Sequence, residues 1–131
     1  MKQKKILAVI GIVDDDESVR DSISSLLRSA GYKTESFESA EAYLNSDRAS
    51  EPNCLLLDVR MPGLSGLQLQ SELNHQKVSI PVIFITAHPD EQVRERALSE
   101  GAVAVLGTPF NDEVLLGAID SAVGSKGPSA T

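Results

Sequence analysis

Five times along the chain a short apolar run gives way to a segment whose apolar residues recur at helical spacing. That alternation limits the fold more than any other feature. Ile6–Val13 is an apolar stretch of 8 residues, as a strand covered on both faces must be. Val19, Ile23, Leu26, Leu27 and Ala30 then share one face of a helix, and Gly31 stops it from the C′ position. Lys33–Phe37 alternates as a second strand, and Ser39 caps a short helix carrying Ala42, Tyr43 and Leu44. Pro52-Asn53 precedes a third strand, Cys54–Asp58. Met61-Pro62-Gly63 forces a loop, and Leu67–Leu73 supplies the third helix. Ile80–Thr86 is the fourth strand, with Pro81 at its start, where a missing N–H matters least. Pro89 opens a fourth helix with Val93 and Ala97 inward and Gly101 at its end. Val103–Leu106 is a short fifth strand. Asn111 caps a last helix whose Val114, Leu115, Ala118, Ile119 and Ala122 form a broad apolar face.

Alternating strands and helices of this length predict an α/β domain, a parallel sheet wrapped on both faces by right-handed crossovers. The domain spans residues 1–123, and the small, polar stretch 124–131 is expected to be a flexible tail or a truncated linker. In such a sheet the site lies at the carboxyl ends of the strands, where strand order reverses. Those ends carry Asp14, Asp15 and Asp16, then Asp58, then Thr86, then Thr108-Pro109. Carboxylates gathered on neighbouring strands repel one another unless a cation is present. With only oxygen ligands on offer, that cation is expected to be Mg²⁺ or Mn²⁺.

Composition removes several function classes. Twelve basic against 19 acidic residues leave a formal charge of −7, which argues against direct nucleic-acid binding by this domain. The longest apolar run falls far short of the roughly 18 residues a membrane helix needs. It follows Lys2, Lys4 and Lys5 but ends on Asp14-Asp15-Asp16-Glu17 with no small-residue cleavage site, so export is not expected. A single cysteine, Cys54, excludes an internal disulfide framework and suits a cytoplasmic location.

The motifs Ile-Val-Asp14-Asp15-Asp-Glu-Ser-Val-Arg, Leu-Leu-Leu-Asp58-Val-Arg-Met-Pro-Gly-Leu-Ser-Gly, Phe-Ile-Thr86-Ala87 and Pro109-Phe110 come in order, each at the end of a strand. Together they resemble the receiver domain of two-component response regulators, of the FixJ/NarL type, over about residues 5 to 123. The resemblance implies a flavodoxin-like (βα)5 sheet with strand order 2-1-3-4-5. It also implies a signalling module with no enzymatic turnover beyond its own phosphorylation and dephosphorylation. Asp58 would accept a phosphoryl group from a sensor histidine kinase or phosphotransfer protein. Asp15 and Asp58 would bind Mg²⁺ directly, Asp14 through water, and Arg60 through its backbone carbonyl. Thr86 would meet the phosphoryl group with its hydroxyl and Ala87 with its backbone N–H. The face built by the fourth helix, fifth strand and fifth helix would change on phosphorylation and is a candidate homodimer surface.

Two positions depart from the family pattern. Thr108 stands where the family carries a lysine before the proline, and Val105 where it usually carries an aromatic switch residue. Threonine offers a hydrogen bond without charge, and valine has no ring to swing between exposed and buried positions. No lysine occurs between Lys77 and Lys126 to substitute. A phosphate-independent receiver acting as a protein-interaction module is therefore the alternative reading. Asp14-Asp15-Asp16-Glu17-Ser18 also resembles the nucleophile motif of haloacid-dehalogenase-type phosphatases. That reading lacks the later lysine, the second acidic pair and the cap domain.

Other residues have plainer expectations. Asp16 and Glu17 serve as cap and first-turn acids, Cys54 packs in the core, and His75 lies on the surface. His88 borders the site. The Arg60 side chain either gates the site or leaves the work to its backbone.

Overall fold

The structure, a computed structural model, describes residues 8–47 and 52–126. Five strands, β1 (Val9–Val13), β2 (Lys33–Phe37), β3 (Cys54–Asp58), β4 (Val82–Thr86) and β5 (Ala104–Gly107), form one sheet in the order β2-β1-β3-β4-β5, with every pairing parallel. Five helices follow them in turn: α1 (Glu17–Ser29), α2 (Ala40–Leu44), α3 (Gly66–His75), α4 (Glu91–Ser99) and α5 (Asp112–Lys126). This is the doubly wound parallel sheet expected from the alternation of elements, in the flavodoxin-like strand order that the resemblance implied.

The sheet divides two cores. Ile10, Ile12, Cys54, Leu56, Ile83 and Ile85 face Ile23 and Leu27 of α1 and Leu115 and Ile119 of α5. On the other face Val13, Leu55, Leu57, Phe84 and Val105 meet Tyr43 of α2, Leu69 and Leu73 of α3 and Ala97 of α4. Strict alternation along β1, β3 and β4 thus feeds both layers, which is why these strands read as unbroken apolar runs. The Cys54 thiol is buried in the first core, where desolvation pushes its pKa up to about 12.

Helix starts follow the expected chemistry, with small shifts. Asp16 caps α1 by accepting from the Ser18 and Val19 amides, Ser39 caps α2, and Asn111 accepts from Glu113 at 2.7 Å. Ser65 and Gln68 form a reciprocal capping box at the start of α3. Gly31 and Gly101 take positive φ just beyond α1 and α4, as expected of helix-ending glycines.

Several expectations need correction. β4 begins at Val82 and not Ile80, because Pro81 has no N–H for the ladder and contributes only its carbonyl, to Leu55 N–H at 2.9 Å. Pro89 does not open α4. Asp90 caps it, accepting from Val93 N–H at 2.9 Å. Val114 is 53% exposed, since the apolar stripe of α5 runs through Leu115, Ile119 and Ala122 and leaves Val114 to one side. α5 continues through Lys126, because a glycine at 124 does not stop a helix already docked by Ile119, Ala122 and Val123. Residues 6–7 of the expected first strand and 127–131 of the expected tail lie outside the described residues. Among the described residues no helix is long and apolar enough to cross a membrane.

Candidate functional site

The chain leaves β1 for β2 on one side and returns to β3 on the other, so the loops after β1 and β3 diverge and open a crevice between them. Val13 pairs with Leu57, and the same register carried one residue further sets Asp14 opposite Asp58. Asp14, Asp15 and Asp58 each bring one carboxylate oxygen into a group whose members all lie within 4.8 Å of one another. Asp14 is buried, Asp58 half-buried and Asp15 exposed. Asp16 stays with the α1 amides.

Local hydrogen bonds fix these carboxylates. Asp14 N–H donates to the Phe37 carbonyl at 3.1 Å, and its Oδ1 accepts from Asp16 N–H at 2.8 Å. Asp58 Oδ1 accepts from Arg60 N–H at 3.3 Å. Burial and the nearby Asp14 charge push the Asp58 carboxyl up to about 7, against the pull of the Arg60 amide. Asp14 is also raised, first by burial and then by Asp15 and Asp16, with its hydrogen bond from Asp16 opposing. Two acids held above the usual carboxylate range beside a third form a site short of positive charge.

The hydroxyls lie on the next two strands. Thr86, the last residue of β4, is buried, and its Oγ1 accepts from His88 N–H at 3.1 Å. Its carbonyl accepts from Thr108 N–H at 2.9 Å, which ties the two threonine-bearing strand ends together. Thr108 itself is exposed and precedes Pro109 through a cis peptide. Ala87 and His88 are exposed on the loop that follows Thr86. Val105 is buried in the second core among apolar side chains.

The match to a protein-family model is to the response regulator receiver domain, over residues 10–120. The chain belongs to that family. The chain is 46% identical over 116 residues to the response regulator protein TodT of Pseudomonas putida, covering 88% of this chain and 51% of TodT. Nodulation protein W of Bradyrhizobium diazoefficiens is 45% identical over 115 residues, with 88% and 51% covered. The chain therefore spans about half the length of these relatives. Among solved structures, FixJ-N superposes with a TM-score of 0.82 at 37% identity, over 89% of this chain and 94% of that one.

Four supporting residues of this receiver domain have roles that the sequence reading did not assign, although Arg20 and Gly66 close two of its motifs. Arg20 reaches back from α1 and donates through Nη1 to the Asp14 carbonyl at 2.7 Å. Glu41 Oε2, on α2, accepts from Leu64 N–H at 2.9 Å and so braces the loop after β3; that bond holds its carboxyl below the usual range. Gly66 lets α3 start against the Asp58 backbone, where a Cβ would collide with the Asp58 carbonyl oxygen. Asp90 pairs with Arg60 across the two loops, Oδ2 to Nη2 at 3.9 Å. Gly66 and Asp90 had a local cue, a glycine at a helix start and an acid after a proline, and Arg20 had its place at the end of the first motif. Glu41 had none, since its partner lies 23 residues further along the chain.

Proposed function

We propose that this receiver domain accepts a phosphoryl group on Asp58 in a divalent-cation-dependent reaction and passes the change to a partner surface. The observation that carries this reading is the convergence of Asp14, Asp15 and Asp58 at the switch point of the sheet. Their donor set, all oxygen and strongly anionic, fits Mg²⁺ or Mn²⁺. Asp15, Asp58 and the Arg60 carbonyl would hold the ion, with Asp14 acting through water. When bound, the ion offsets the negative charge that otherwise keeps a carboxylate from approaching a phosphoryl group.

The chain's own residues do the rest by positioning. One Asp58 carboxylate oxygen forms a bond to phosphorus as the phosphorus–nitrogen bond of a phosphohistidine breaks. The electron pair returns to the imidazole nitrogen, which then takes up a proton. The raised Asp58 carboxyl must be ionised to attack, so neutralisation of its neighbours is part of the reaction and not only of binding. Thr86 Oγ1 and the Ala87 N–H are the donors for the phosphoryl oxygens, and Thr108 supplies a hydroxyl where the family pattern has a lysine. The phosphoryl donor is a sensor histidine kinase or phosphotransfer protein, and the interaction surface is α4–β5–α5. Leu98, Val103 and Val114, large apolar residues of that region, are exposed.

Exposed Thr108 and buried Val105 favour a second reading, an interaction module that works without phosphate. Intact mass after incubation with acetyl phosphate and Mg²⁺ separates the two. A single phosphoryl adduct, absent from Asp58→Asn and from a metal-free sample, supports phosphoryl acceptance. Failure of the adduct to form under any divalent cation favours the phosphate-independent module.

A further inference from the structure

A phosphoryl group on Asp58 would add negative charge to a cluster that already holds three carboxylates, and position 108 offers it no cation. Among the arginines of the surrounding elements, Arg20 and Arg60 make hydrogen bonds to residues of the acidic cluster, whereas Arg94 of α4 donates to the Val105 carbonyl at 3.4 Å. Arg20 is engaged with the Asp14 carbonyl at 2.7 Å. Arg60 is different. Its amide already touches Asp58 Oδ1, while its guanidinium turns to Asp90 at 3.9 Å. Both side chains of that pair are largely exposed, 64% and 56%. Asp90 has a second task, because its other oxygen caps α4 by accepting from Val93 N–H. One guanidinium thus links the loop that follows the proposed phosphoryl acceptor to the cap of the helix after β4.

We propose that Arg60 is the cation that meets the phosphoryl group in this chain, and that Asp90 holds its guanidinium until then. The proposal rests on the phosphoryl-acceptor reading above. An exposed, long ion pair with a single carboxylate is the weakest kind, screened by water and salt. A phosphoryl group on Asp58, two residues before Arg60, presents nearly two charges and three acceptor oxygens, which suit a guanidinium fork. Exchange of one anion for the other frees Asp90 from the β3–α3 loop while its Oδ1 continues to cap α4. The amino end of α4 then loses its tether at the moment of phosphorylation. This path needs neither a lysine at 108 nor a ring at 105.

A purely structural tie makes a different prediction. Breaking it from either end would then have the same effect. The test is a ¹⁹F NMR titration of beryllofluoride in the presence of Mg²⁺, with amide exchange at Val93 and Arg94 read alongside. Arg60→Gln should weaken beryllofluoride binding about tenfold, as expected for a lost charge-assisted contact, with Arg60→Lys recovering part. Asp90→Asn keeps the cap and removes the competitor, so it should tighten binding about threefold. In the wild-type chain beryllofluoride should speed exchange at the start of α4; in Asp90→Asn that exchange should be fast beforehand and change little. Equal weakening by Arg60→Gln and Asp90→Asn, or no effect of either, overturns the proposal. A wild-type chain that neither binds beryllofluoride nor takes up phosphate overturns the phosphoryl-acceptor reading itself, and this proposal with it.

Discussion

Gly66 lies so close to the backbone of Asp58 that a β-carbon at position 66 would collide with the Asp58 carbonyl oxygen. The first turn of α3 is seated directly under the proposed phosphoryl acceptor, and Gly66 N–H donates to the Val59 carbonyl at 2.9 Å. Gly66→Ala should therefore destabilise the domain by about 1–3 kcal/mol through overpacking. It should also slow labelling by acetyl phosphate, because the strand end must shift. Thermal unfolding and timed intact-mass measurements check both parts, and an alanine variant as stable and as fast as wild type would contradict the contact.

Stability should fall as pH rises in the absence of metal. The folded chain keeps the Asp58 proton up to about 7, whereas an unfolded aspartate releases it near ~3.9. Between those values the folded state binds more protons than the unfolded one, so each step upward in pH favours unfolding until about 7 is passed. Asp14 is raised as well and adds to the trend. In EDTA the melting temperature should drop from about pH 5 to about pH 8, and Asp58→Asn should flatten the drop. A melting temperature that climbs across this range would refute the assignment.

Mg²⁺ should reverse that loss. Protons and cation compete for the same oxygens, so added Mg²⁺ should raise the melting temperature more at about pH 8 than at about pH 5. Asp15→Asn removes the exposed carboxylate of the acidic cluster, a proposed ligand, without disturbing the core and should shrink the Mg²⁺ effect at the higher pH. Differential scanning calorimetry with and without chelator makes the comparison, and a pH-independent Mg²⁺ shift would argue against a shared site.

Thr108→Lys tests whether a charge at the end of β5 improves a site short of cations. Beryllofluoride affinity should rise about tenfold, the scale of one added charge-assisted hydrogen bond. An unchanged affinity, measured by the same ¹⁹F titration, would mean that a cation at position 108 adds nothing to the one proposed at Arg60.

The sequence reading located the strands and the three carboxylates because both rest on local signals. Two-faced apolar runs mark buried parallel strands, and Asp14, Asp15 and Asp58 come directly after two of them. Element ends were less legible. Pro81 and Pro89 were each assigned to an element that begins just after them, since the decisive hydrogen bonds are made by Val82 onward and by Asp90. Val114 misled through composition, because one apolar residue beside a stripe looks like part of it. The contacts of Arg20 and Glu41 were illegible for another reason. Each supports the site by bonding to a main-chain group of a different element, Asp14 O and Leu64 N–H, and main-chain partners leave no trace in a residue pattern.

The register of β1 against β3 acts as a ruler for the acidic cluster. Cys54 and Leu56 fill one core while Leu55 and Leu57 fill the other, so the side chain of each β3 residue is committed to a face by parity alone. A single residue inserted or deleted between Asn53 and Asp58 would exchange the two faces and carry the Asp58 carboxylate away from Asp14. The chemistry around Asp58 can therefore be varied one side chain at a time, but the length of β3 is not free to drift.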